Sequence, residues 1–368
     1  MRNPIRRTMR PEYARRVNLA LVLQAIYNDS TLSRADIART TGLTKVTVSD
    51  LVAELMLAGL VRETGTSGAT RPGKPSMLLA FNPDARDILT LDLSGPDRLD
   101  GAIFSLKGQR LHTAVRDLNG AVGMAALTAA RELARELVEA STRPILGLGV
   151  GTPGAVSANG VVLAAPNLHW RDIPLQQLLA DDLGIPVRVE NDANAAVLAE
   201  RRFAGGPDDL LSIQLTRGVG AGLLVAGHLV RGAASDAGEI GHVVIDPNGE
   251  RCGCGKIGCL ETSTSVPAIL ARIEADPSRR DELLAEAGER LGLALSPVVG
   301  MLGLSHVVIG GPDDIVTAPL LDAARSCISD RTRSEFRPEL ELTASSFRES
   351  AVLLGAAALV LLDQLGVA

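Results

Sequence analysis

Aromatic side chains are scarce: five Phe, two Tyr and one Trp make up 2% of the 368 residues. A core must therefore be built from Ala, Val, Leu and Ile, and a single-strand nucleic-acid reader that stacks bases on aromatic platforms is excluded. Long apolar runs are missing too. The stretches near Leu291–Leu304 and Leu353–Leu362 are too short to span a bilayer and read as core helices. The arginines near Met1 are not followed by an apolar segment and a small-residue cleavage site, so a cytoplasmic protein is expected. Cysteine is sparse as well, at four residues. Three of them sit together, which in a reducing compartment favours metal binding over disulfides, while Cys327 stands alone and reads as a small buried hydrophobe.

The chain carries a net charge of −6, unevenly spread. Residues 1–80 hold twelve Lys/Arg against six Asp/Glu, a net of +6, which leaves −12 on the remainder. A basic head on an acidic body suggests that only the head meets a polyanion. Within it, "VNLALVLQAIYNDS" from Val17 has helical apolar spacing and ends in polar residues. "SRADIARTTGL" offers Ser33 as N-cap with Asp36 three residues on, and Gly42 as its stop. A third helix starts at Thr44 and runs through "KVTVSDLVAELMLAGL", with Val48 as a core position and Ala38 small enough for close helix contact. Two helices around a short Gly-containing turn give a helix-turn-helix, with Thr44, Lys45, Thr47, Ser49 and Asp50 placed to reach base edges or phosphates. The Gly/Ser/Pro-rich "TGTSGATRPGKPSMLLAF", carrying Arg71 and Lys74, reads as a wing with its return strand. With the basic arm (Arg2, Arg6, Arg7, Arg10, Arg15, Arg16), operator double-stranded DNA is the expected partner of the head; a helical protein-interaction module is the competing interpretation.

The segment "GHVVIDPNGERCGCGKIGCLE" (241–261) packs one His and three Cys into a short span. His242, Cys252, Cys254 and Cys259 supply an imidazole and three thiolates, a complete tetrahedral set for structural Zn²⁺. Four protein ligands leave no position for an activated water, so such a metal folds a loop and performs no hydrolysis.

From Ile88 strand and helix patterns alternate, an α/β arrangement. The motifs "GTPGAV" (151–156), "VENDANAAVLAE" (189–200), "GVGAGLLVAGHLVRGAASDAGEIGH" (218–242), "CGCGKIGCLE" (252–261) and "VIGGP" (308–312) resemble the ROK family of repressors, open reading frames and sugar kinases, over essentially all of residues 88–368. The winged helix in front is similar to the family's transcriptional-repressor branch. The resemblance implies a two-lobed actin-like body of sugar-kinase or ribonuclease H-like fold and a zinc-fixed loop that presents sugar-contacting residues. Asn191 and Asp192 match the pair that bonds sugar hydroxyls, the latter being the general base in the kinases. Glu239, His242 and Glu261 match further hydroxyl contacts, and Gly154 and Asn167 line the same cleft.

Phosphate binding departs from the kinase pattern. A ROK kinase has Asp-x-Gly-Gly-Thr where this chain reads Asp92-Leu93-Ser94-Gly95-Pro96-Asp97; Pro96 removes a backbone donor and Asp97 adds a charge repellent to a triphosphate. In a second loop Thr216-Arg217-Gly218 replaces the family's Gly-Thr-Gly. The expectation is a regulator that senses a sugar or sugar phosphate and assembles as a homodimer or homotetramer, with no catalysis and Asp192 as a vestigial base. The competing expectation is an ATP-dependent sugar kinase with a DNA-binding extension. Domain boundaries are expected at 1–80 (head), 81–88 (linker), 89–190 with 346–368 (small lobe) and 191–345 (large lobe).

Overall fold

A computed structural model describes residues 11–66, 76–95, 97–336 and 338–367. The head comprises α1 (Pro11–Asn28), β1 (Leu32–Ser33), α2 (Arg34–Thr41), α3 (Lys45–Leu57), β2 (Val61–Thr66) and β3 (Met77–Phe81). The expected capping box is formed: the Ser33 hydroxyl accepts from the Asp36 backbone N–H, and the Asp36 carboxylate accepts from the Ser33 backbone N–H. Gly42 closes α2 in the left-handed conformation and Thr44 caps α3, accepting from the Thr47 N–H. α1 begins at Pro11, a turn and a half before the periodic apolar stretch, because the preceding residues continue the helix with a solvated face. β2 and β3 pair antiparallel as the wing's two strands. Arg71, Lys74 and the arm residues Arg2, Arg6, Arg7 and Arg10 lie outside the described residues.

Two five-stranded sheets follow. The small-lobe sheet has the order β11 (Val187–Asn191), β7 (Ile145–Thr152), β4 (Asp87–Asp92), β5 (Arg98–Ser105), β6 (Arg110–Asp117). α4 (Met124–Ala140) and α5 (Leu175–Leu183) pack on it. A three-stranded appendage of β8 (Ala155–Val156), β9 (Val162–Ala165) and β10 (Trp170–Ile173) follows β7. After α6 (Asp192–Phe203), the large-lobe sheet repeats the pattern as β14 (His228–Leu229), β13 (Val219–Val225), β12 (Leu210–Leu215), β15 (His306–Gly310), β16 (Glu341–Ala344). In each sheet an antiparallel three-strand meander is extended by two parallel strands, the topology of a two-lobed actin-like body. α7 (Glu261–Thr264), α8 (Val266–Ala275), α9 (Arg280–Leu302) and α10 (Ala318–Thr332) belong to the large lobe, and α11 (Ala351–Leu365) returns to the small lobe.

α6 and α11 lie side by side between the lobes: α11 packs on β4, β7 and β11, while α6 reaches β12 and β13. Their crossing is closed by Gly355, where any Cβ would come within 1.7 Å of the Ala195 carbonyl oxygen. No described helix is long and apolar enough to cross a membrane.

The boundaries need correction. Residues 81–88 are not a linker: Phe81 ends β3, Asp87 and Ile88 begin β4, and only 82–86 connect them. The reason is burial. Phe81 and Ile88 share one core in which Val22, Ile26, Leu51 and Leu55 of the head meet Phe104 and Leu361 of the body. Asn191 likewise belongs to the small-lobe sheet, paired with Thr152.

Candidate functional site

The cleft is built around the N-terminus of α6. β11 delivers Asn191 in extended conformation as the N-cap, and its side-chain oxygen accepts from the Asn194 N–H at 3.0 Å. Its amide nitrogen donates to the Gly154 carbonyl and to Asp192 Oδ1, both at 3.0 Å. Asn191 thus helps to position Asp192. Gly154 contributes backbone only: its φ is +85° and a Cβ there would come within 2.0 Å of the Ala164 carbonyl oxygen. Asp192 Oδ1 also accepts from the Ala193 N–H at 2.8 Å. Burial pushes the Asp192 carboxyl up to about 7, helped by the charges of Asp92 and Glu239. Asp92, buried at the end of β4, is raised to about 6 by burial.

The large lobe supplies the opposite wall. Glu239 precedes a 3-10 turn (Ile240–His242), and burial raises its carboxyl while His242 opposes the rise. The His242 ring divides two environments: Nδ1 is 3.6 Å from Cys252 Sγ and 3.3 Å from Glu261 Oε1, whereas Nε2 is 3.7 Å from Glu239 Oε2. One nitrogen can therefore serve a metal while the other keeps an N–H for the cleft. Asn167 sits exposed on the 3-10 turn Pro166–Leu168. Among the described residues no hydrogen bond joins it to Asp192, Glu239, His242 or Glu261, so the structure does not bring it to that group by direct contact.

His242, Cys252, Cys254 and Cys259 place one donor atom each within 4.8 Å of one another, a group that could hold a metal ion. Cys254 Sγ and Cys259 Sγ are 3.6 Å apart. That separation, like the 3.6 Å between Cys252 Sγ and His242 Nδ1, is close to the ~3.8 Å edge of a tetrahedron with ~2.3 Å metal–sulfur bonds. Burial and the Glu261 carboxylate push the Cys252 thiol up, and burial raises Cys259 as well. Thiolates converge here only if a cation offsets them. Tight backbone bonds shape the loop: Cys252 N–H to the Lys256 carbonyl at 2.8 Å, and Ile245 N–H to the Gly258 carbonyl at 2.9 Å. Glu261 follows Cys259 by two residues and opens α7, so loop and cleft are covalently one unit.

A residue pair that the sequence did not expose completes the cleft. Glu190, 2% exposed, accepts from Arg231 Nε at 2.8 Å and from Asn194 Nδ2 at 3.0 Å. Arg231 lies on the segment leading to Glu239, and Ala237 N–H donates to its carbonyl at 3.1 Å. The signal available was an acidic residue next to apolar Val189, immediately before Asn191-Asp192.

Far from the cleft, α3 exposes Thr44, Lys45, Ser49 and Asp50 on one side, with Thr47 half-buried and Val48 buried as expected. Thr47 Oγ1 is 2.9 Å from Thr44 Oγ1, so the capping hydroxyls pair with each other. Val46 is 72% exposed on the same turn, an apolar surface that a polarity-based reading passes over.

Comparison with known families matches residues 94–362 to the ROK family and residues 20–71 to the MarR family. The chain is 30% identical, over 95% of its length and 97% of the relative's, to a xylose repressor of Caldicellulosiruptor bescii. Among solved structures it is similar to a ROK family transcriptional regulator, a homologue of the E. coli MLC protein, with a TM-score of 0.84, 27% identity and coverage of 96% of this chain and 98% of that one. A ROK family glucokinase from Streptomyces griseus, solved with glucose and AMPPNP, matches with a TM-score of 0.65 and 26% identity, over 74% of this chain and 98% of that one. The kinase thus aligns with the body, whereas the two regulators extend across the head as well, and this chain belongs to the ROK family.

Proposed function

We propose that the chain is a sugar-responsive transcriptional repressor whose head binds an operator duplex and whose cleft binds a neutral monosaccharide. The observation that carries the choice of regulator over kinase is the loop after β4. Asp92 Oδ1 accepts both the Ser94 backbone N–H at 2.8 Å and the Ser94 hydroxyl at 2.6 Å. A backbone donor that a nucleotide phosphate would need is spent on the protein's own carboxylate. Pro96 offers no donor, Asp97 adds charge, and Arg217 occupies the exposed turn between β12 and β13. Phosphoryl transfer is therefore lost while Asp192 is kept as an acceptor for a sugar hydroxyl.

Asp92, Asp192, Glu239 and Glu261 all border the same space, and four carboxylates disfavour a phosphorylated ligand. A free pentose or hexose, in keeping with the xylose repressor among the relatives, fits better. Glu239, Glu261 and the His242 N–H offer hydroxyl-pairing groups beside Asp192. His242, Cys252, Cys254 and Cys259 form a thiolate-rich closed set suited to Zn²⁺, which would supply folding energy when bound. The residues then do the work: Cys259 fixes Glu261, and His242 fixes Glu239.

The test is fluorescence anisotropy on a duplex that the protein itself selects from a random library, titrated with and without D-xylose, D-glucose and glucose 6-phosphate. Release by a free sugar, and none by the phosphate, is the expected outcome. Sugar-dependent ADP formation at roughly 1–100 per second would replace this reading with a kinase.

A further inference from the structure

Sensing requires a physical route from the cleft to the head, and one helix touches both. α6 starts at Asp192, in the sugar-facing floor, and ends at Arg202-Phe203. At 1.5 Å per residue its two ends lie about 17 Å apart. It is buried from Ala193 through Glu200 and cannot bend or fray independently of its neighbours. α11 presses on one side at Gly355, and the large-lobe strand β13 presses on the other at Gly222, where a Cβ would come within 2.3 Å of the Ala193 carbonyl oxygen. The first turn of α6 is held through Asn194 and Glu190 to Arg231 of the opposite lobe.

The far end meets the DNA-binding head. Arg202 Cζ lies 3.7 Å from the centroid of the Tyr27 ring, on the last turn of α1. Lys107 Nζ, on the turn between β5 and β6, lies 3.6 Å from the same centroid and donates to the Tyr27 carbonyl at 2.6 Å. The Tyr27 hydroxyl donates to the Leu106 carbonyl at 3.1 Å, and its ring centroid is 4.7 Å from that of Phe81 on the wing strand β3. Phe203 packs into the core shared by head and body. Tyr27 is 6% exposed and Arg202 is half-buried, so the Arg202 contact is partly desolvated, which strengthens it, whereas Lys107 reaches the ring from an exposed turn. Burial and the neighbouring Arg202 charge lower the Lys107 ammonium, so the two cations repel each other across the ring that attracts both.

We propose that α6 is the element that carries sugar occupancy to the head, with Arg202 and Lys107 as positioning residues that set the angle of α1 through Tyr27. The proposal rests on the sugar-sensing reading above. A sugar that draws Asp192 and Glu239 together shifts α6 as a rigid rod between the lobes. The displaced Arg202 then changes its contact with Tyr27, and the orientation of α1, α2 and α3 changes with it. A merely structural junction would hold the head equally with and without sugar. A coupling junction changes the ratio of operator affinities between the two conditions.

The experiment uses the full chain and four variants: Arg202→Gln, Arg202→Lys, Lys107→Gln and Tyr27→Phe. Operator affinity is measured on the selected duplex with and without saturating D-xylose or D-glucose, and sugar affinity is measured separately by calorimetry. Wild type should lose operator affinity on sugar binding by about 5- to 150-fold, the usual range of allosteric coupling. Arg202→Gln and Lys107→Gln should reduce that ratio below about threefold, while sugar affinity without DNA and operator affinity without sugar each stay within about threefold of wild type. Arg202→Lys, which keeps a cation, should restore part of the ratio, and Tyr27→Phe, which keeps the ring, should retain most of it. Amide exchange near Tyr27 should respond to sugar in wild type and not in Arg202→Gln. Should a variant fold poorly, the sugar-induced exchange change at Tyr27 in wild type alone decides, and its absence overturns the proposal. Full coupling retained in both Gln variants also overturns it while leaving the sensing reading intact. A wild type that ignores every sugar overturns both.

Discussion

Arg231 of the large lobe holds Glu190 of the small lobe across the base of the cleft, with its Nη2 2.6 Å and its Nε 2.8 Å from Glu190 Oε2. The carboxylate is almost wholly buried, and its other oxygen takes the Asn191 backbone N–H at 3.1 Å and the Asn194 amide. One ion pair therefore fixes Asn191-Asp192 against the segment that carries Glu239. Removing only the cation strands a buried carboxylate, which costs about 3–5 kcal/mol in fully buried pairs. Arg231 keeps about a third of its side chain in solvent, which places the cost near the lower end, about 3 kcal/mol.

Arg231→Met should accordingly lower the urea midpoint and weaken sugar binding together. Glu190→Gln, which leaves no uncompensated charge, should be milder in stability. An Arg231→Met protein as stable as wild type would show that the pair bears no load between the lobes.

The His/Cys cluster yields a second expectation. Purified protein should contain one zinc per chain by elemental analysis. Chelation should lower the melting temperature and weaken sugar binding, since Glu261 and His242 lose their anchor. Cys259→Ser, at a buried ligand, should do the same without altering operator binding in the absence of sugar. Full sugar affinity in zinc-free protein would detach the loop from recognition.

At the head, Lys45→Ala should weaken binding to all duplexes and flatten the salt dependence by about one unit of slope, the signature of one phosphate contact. Val46→Ser, by contrast, should change which sequence is selected, at about 1–3 kcal/mol per affected base pair. Thr44→Ala removes a cap worth about 1 kcal/mol, and should lower stability along with affinity. Identical salt slopes for wild type and Lys45→Ala would exclude Lys45 from the phosphate backbone.

Legibility in the sequence followed the range of the interaction. The capping box at Ser33 and Asp36, the Gly42 stop and the His/Cys spacing are local, set by covalent distance along the chain, and each is legible in the sequence. The status of residues 81–88 was not, because Phe81 is fixed by partners such as Phe104 and Leu361 that no local pattern announces. The same holds for Glu190 and Arg231, 41 residues apart and on different lobes. Asn191 illustrates a third limit: its amide donates to Gly154 and Asp192 and accepts from Asn194, partners decided by side-chain geometry that the sequence does not announce.

The last expectation turns on Asp192. Its carboxyl is raised from 3.8 to about 7, so the folded protein holds a proton that the unfolded chain has lost across that whole window. The stability this group contributes is therefore complete below about pH 3.8 and lost as pH rises through 7. Sugar binding has the opposite sign, because hydroxyl donors favour the charged carboxylate and pull its pKa down. Affinity should rise as pH increases from about 6 to 7 and level off above, with proton release that calorimetry detects as a buffer-dependent heat near pH 6.5. Asp192→Asn should abolish that proton release and weaken binding by about 1.5–3 kcal/mol for each charge-assisted hydrogen bond lost. Asp92, raised to about 6, titrates in the same cleft, so Asp92→Asn is the control. It should preserve the Asp192 step, displaced toward lower pH because a neighbouring negative charge has been removed. A sugar affinity that stays flat from pH 5.5 to 8 in wild type would mean that Asp192 is not the acceptor.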